Sequence, residues 1–66
     1  MKQGEFLCRF TDRLVSQSQG NLDYIKDAEF LSECAYAAWE LWSNPKEGLQ
    51  DETPEDMADV GMNYWG

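Results

Sequence analysis

The apolar residues of the first third of the chain recur at helical intervals. Phe6, Leu7, Phe10 and Leu14 fall on one face and Arg9, Asp12 and Arg13 on the other, which predicts an amphipathic helix over about residues 5–18. Gly20-Asn21 then reads as a stop and a fresh start, because glycine suits the left-handed position after a helix and asparagine caps the next one. From 22 to 43, Tyr24, Ala28, Leu31, Ala35, Ala38, Trp39 and Trp42 keep the same period. Phe30, Cys34, Ala37 and Leu41 widen their arc to more than half the circumference. A helix that covers a single neighbour needs an apolar stripe of only about 100° or somewhat more. The middle helix is therefore expected to be central, packed on two sides or at a dimer interface. The pattern allows it to start at Leu22 or to restart at Asp27. It ends at Asn44-Pro45, since the residue before proline avoids the helical region.

Lys46 to Glu52 is a polar loop containing Gly48. Thr53-Pro54-Glu55-Asp56 then reads as a helix start, with Thr53 as cap, Pro54 preorganised at the first position, and two acids at the positive end of the helix dipole. Met57, Val60 and Tyr64 form the expected apolar stripe of this last helix, and Trp65 is placed either to close the core or to anchor a partner. The fold expected is all-α: one domain spanning 1–66, a compact bundle of about three helices (5–18, 22–43 and 54–64) with a long amphipathic central one.

Composition changes this picture little. Sixty-six residues with three Phe, three Tyr and three Trp are enough for one small core, although chains of this size bury only about 60% of the surface their unfolded form exposes. The start, Met1-Lys2-Gln3-Gly4-Glu5, lacks the pattern of a signal peptide, and no apolar run approaches a membrane span. A cytoplasmic protein is expected, in the host cytoplasm if the chain is phage-encoded. Cys8 and Cys34 read as small hydrophobes of a reducing compartment, with a bridge between their helices as the competing arrangement.

Charge changes the picture more. Residues 1–26 carry +1, whereas residues 27–66 hold ten acids against Lys46 alone, giving −9 and a net charge of −8. Such asymmetry predicts an acidic face. It also argues against direct nucleic-acid binding, which needs cationic side chains to displace counterions. The expected partner is basic.

Two groups of acids are candidates for that face. Asp51, Glu52, Glu55, Asp56 and Asp59 cluster without an intervening cation, although capping and the helix dipole account for Glu55 and Asp56. Glu29, Glu33, Tyr36 and Glu40 form the polar face of the middle helix. Like charges four residues apart, as at Glu29 and Glu33, repel, so stability alone would not choose this stripe. Its carboxylates rise about 6 Å per four residues, sparser than the phosphates of one DNA strand at about 3.4 Å, and only the second cluster alongside would raise the density. Tyr36 among carboxylates suits a contact surface.

Other chemistry finds no support. The run "DETPEDMADVGM" lacks the calcium-loop pattern, and the absence of His and of a CxxC pair argues against zinc. Paired carboxylate catalysis needs a cleft that three short helices do not offer. Neither an enzyme nor a cofactor is expected.

In size, charge and lack of catalytic residues the chain resembles the small acidic inhibitors carried by phages and mobile elements: DNA-mimicking anti-restriction proteins, uracil-DNA glycosylase inhibitors and some anti-CRISPR proteins. The resemblance covers character and no aligned stretch. It implies a stoichiometric inhibitor whose carboxylates occupy a Lys/Arg-lined groove on a host protein that binds DNA or RNA. The competing expectation is a small helical oligomer or adaptor, possibly a homodimer, that binds partners through an exposed apolar and aromatic helix face.

Overall fold

The computed structural model describes residues 1–65, with the side chains of residues 1–64. Its elements are α1 (Gln3–Gln17), α2 (Ala28–Ser43) and α3 (Pro54–Trp65), with no strand among the described residues. The all-α, three-helix expectation holds. The expectation for Trp65 concerns a side chain outside the described residues.

The core consists of Phe6, Phe10 and Leu14 from α1, Leu31, Ala35 and Ala38 from α2, and Ala58 from α3. Phe6 sits at its centre, 5.4 Å from both Trp39 and Trp42 and 6.1 Å from Phe10, ring centre to ring centre. Because Phe6 lies early in α1 and the tryptophans late in α2, these two helices run antiparallel.

The helix in the middle of the space is α1, not α2. It packs against both other helices, whereas α2 and α3 touch only marginally. The molecule measures 34 × 23 × 14 Å, a shape closer to helices laid side by side than to a closed triangle. The wide apolar arc of α2 is consequently covered along one strip, and Phe30 and Leu41 remain exposed.

Of the two starts the pattern allows, α2 takes the restart at Asp27, its N-cap residue, and not the longer 22–43 range. Asn21 does not cap it. Instead Asp23 accepts the backbone N–H groups of Ile25 and Lys26 at 2.8 and 2.9 Å, and Asp27 accepts that of Asp23 at 2.9 Å. These side chains satisfy the backbone in a local turn, which competes with helix, so regular helix begins only at Ala28. Tyr24 therefore leaves the apolar arc. It is exposed, and its hydroxyl donates to Asp12 at 2.8 Å. Ala28, at the helix start, is exposed too.

The other boundaries follow the expected signals. The chain turns left-handed at Gln19 and Gly20 (φ 55° and 92°) after α1. Asn44 is extended, as its proline neighbour requires. Thr53 caps α3 by accepting the Asp56 N–H at 3.1 Å. Both cysteines are free, Cys8 exposed and Cys34 partly buried against the core.

α3 turns a different face inward from the one its large apolar residues predict. Pro54 and Ala58 are buried, while Val60 and Tyr64 are exposed. The small Ala58 lets α3 approach α1 closely, and the acids beside it fix the rotation of the helix, as described next.

Candidate functional site

The acidic residues separate into two populations once the helices are placed. Arg9 donates through Nε and Nη2 to both carboxylate oxygens of Glu55, at 2.9 and 2.7 Å. One turn along, Arg13 does the same to Asp59, at 2.9 Å for each bond. Both pairs are separated by 46 residues, so α1 and α3 run parallel and in register. Arg9 also holds Glu5 on its own helix at 3.3 Å. Paired, planar, two-point bonds of this kind are the strongest that Arg and carboxylate make.

The electrostatics agree with the geometry. The hydrogen bond from Arg9 holds Glu55 below its ordinary value, against an opposing effect of partial burial. The bond from Arg13 likewise lowers Asp59. Asp23 is lowered by the backbone N–H groups of Lys26 and Ile25. Glu55 and Asp59 are thus clamps between helices. They face α1 and are neutralised there, so they do not add free charge to an outer face.

Glu29, Glu33, Tyr36 and Glu40 are exposed. On a helix of 3.6 residues per turn they fall within an arc of about 60°. That arc points opposite to Leu31, Ala35 and Ala38, the residues that meet α1. Among the described residues none of these three carboxylates pairs with a cation or accepts a hydrogen bond. The same holds for the side chains of Asp51, Glu52 and Asp56, and for Glu47, which the sequence reading passed over. The loop carrying Glu47, Asp51 and Glu52 is tied to the end of α2, because the Trp42 indole N–H donates to the Glu52 carbonyl at 2.9 Å.

The structure therefore keeps the α2 stripe together on the outer side of the molecule, ties the Glu52 carbonyl to Trp42 on the inward side of α2, and removes Glu55 and Asp59 from the stripe. Asp56 lies apart, at the rim of an apolar groove of ≈ 390 Å³ lined by Leu41, Leu49, Met57, Val60, Gly61 and Tyr64, with Glu52 beside it. The sequence carried one overlooked signal for the clamps: Arg9 and Arg13 repeat at four residues, as do Glu55 and Asp59. Among the described residues no helix is long and apolar enough to cross a membrane. No protein-family model matches the chain, nor does any curated protein or solved structure.

Proposed function

We propose that this protein is a non-catalytic binding protein that docks the outer face of α2 on a basic surface of a protein that handles DNA or RNA. Glu29, Glu33 and Glu40 supply the charge and Tyr36 the apolar contact area among them. One observation carries this reading. Both arginines are committed to Glu55 and Asp59, yet the three carboxylates of the stripe, which repel one another, have no cation among the described residues. A like-charged stripe costs stability, and a cationic partner would relieve that cost on binding.

The small acidic inhibitors that the chain resembles supply the class of action: carboxylates occupying a groove that otherwise holds nucleic acid, as phage- and mobile-element-encoded anti-restriction or anti-CRISPR inhibitors would. Long-range attraction of this sort accelerates association and weakens with salt. The test is charge reversal. Glu29→Lys, Glu33→Lys and Glu40→Lys together should abolish capture of a basic partner from a host lysate in dilute salt. The wild type should release that partner on a salt gradient. Capture that survives the triple reversal overturns the reading.

A further inference from the structure

We propose that the groove between the end of α2 and α3 is a docking cleft for a basic amphipathic helix of another protein, a surface separate from the acidic stripe of α2. Its walls are Leu41 from α2, Leu49 from the loop, and Met57, Val60, Gly61 and Tyr64 from α3. The four α3 residues follow the i, i+3, i+4, i+7 spacing of a helix face that expects a partner; Met57 is half-buried against the core, whereas Val60 and Tyr64 have no covering helix among the described residues. Val60 is 56% and Tyr64 87% exposed. From Met57 to Tyr64 the face rises about 10 Å, two turns of helix, which matches two or three apolar anchors of an inserted helix.

Gly61 is the second observation. Glycine inside a helix is unfavourable relative to alanine, so it is expected where something needs the missing side chain. Nothing in the fold does: its backbone is not left-handed, and a Cβ placed there would meet no neighbouring group within 4 Å among the described residues. The space above Gly61 opens into the groove, where the bare backbone permits close approach by an occupant.

Charge decides the occupant. Glu52 and Asp56 stand at the rim; neither carboxylate accepts a hydrogen bond or closes an ion pair among the described residues, although Asp56 is near enough to Arg13 to feel its charge. A second copy of this chain would bring its own Glu52 and Asp56, together with a net charge of −8, to the same contact. Its two arginines are already clamped by Glu55 and Asp59. A helix with apolar anchors flanked by Lys or Arg completes both the walls and the rim.

Synthetic helical peptides about four turns long, with Leu or Phe at i, i+4 and i+7 and Lys on the flanks, serve as probes in fluorescence anisotropy. Wild type should bind the basic peptides and not versions with Glu for Lys or Ser for the anchors. Gly61→Gln, which fills the groove with a polar chain, should weaken binding at least about tenfold, about 1.4 kcal/mol, without lowering the melting temperature. Glu52→Gln with Asp56→Asn should weaken binding and flatten its salt dependence. Neutralising Glu29, Glu33 and Glu40 to Gln should leave groove binding within a few-fold, which separates this proposal from the stripe reading. Absence of peptide binding, equal binding of the Glu peptides, or unchanged affinity in Gly61→Gln overturns it. So does sedimentation showing a dimer that Gly61→Gln dissociates, because the groove would then serve self-association.

Discussion

Phe6 is fully buried and touches three other aromatic rings, two of them on α2, so it joins α1 to α2. Removing a ring of this kind from a packed core costs about 3–5 kcal/mol through lost transfer energy and the cavity left behind. A domain of this length is stabilised by a similar amount in total, at about 0.05–0.15 kcal/mol per residue. Phe6→Ala is therefore expected to be largely unfolded at 25 °C, seen as loss of helical circular dichroism and of the cooperative melt. A melt within a few degrees of wild type would show that the ring cluster is not the centre of the core. At this scale the sequence was a good guide: Phe6, Leu7, Phe10 and Leu14 stood out by spacing alone, and three of the four are buried with Leu7 packed against them.

Between elements, the clamps set the rotation and direction of α3. Arg9–Glu55 and Arg13–Asp59 are partly exposed, at 40% and 32% for the first pair and 37% and 38% for the second, so their effect is read best through pH. Glu55 and Asp59 are lowered in the folded chain. A lowered carboxylate contributes stability above its unfolded value, near 4, and loses it as pH falls through the folded one. The double variant Arg9→Met, Arg13→Met should thus melt below wild type at neutral pH. The gap should narrow as pH drops below about 4 and close once both carboxylates are protonated in the folded state. A gap independent of pH would mean that the arginines act through packing of their stems. Legibility falls off at this scale because such contacts depend on pairing between distant segments. Periodicity could assign Arg9 and Arg13 to the polar face of α1, but not show that this face meets α3. Of the expected stripe Met57, Val60 and Tyr64, Met57 packs partly against the core, but Val60 and Tyr64 are exposed and the small Ala58 is the buried residue. The pattern of α2 ran through Tyr24 because period alone does not register that Asp23 and Asp27 draw backbone N–H groups into a turn.

The whole molecule carries its charge unevenly in space as well as in sequence. Two arginines are consumed by the clamps between α1 and α3, and the acids whose carboxylates accept no hydrogen bond among the described residues are Glu29, Glu33, Glu40, Glu47, Asp51, Glu52 and Asp56. These lie on α2, on the loop after it and at the start of α3, in a molecule only 23 Å across its middle dimension. At about 0.01 M salt the Debye length is about 30 Å and the acids repel across the full width; at about 1 M it is about 3 Å and they hardly do. The two effects of salt oppose each other, since screening relieves this repulsion but also weakens the clamps. The clamps are short, hydrogen-bonded at two points and limited to two pairs, whereas the repulsion is long-range and shared by seven groups, so the repulsion should dominate. Sodium chloride should therefore raise the melting temperature at pH 7, and the rise should shrink in the Glu29→Gln, Glu33→Gln, Glu40→Gln variant. A melting temperature that falls with salt would place the balance with the clamps. It would also remove the argument that the α2 stripe is kept at the expense of stability, and with it the main physical ground for a cationic partner on that face.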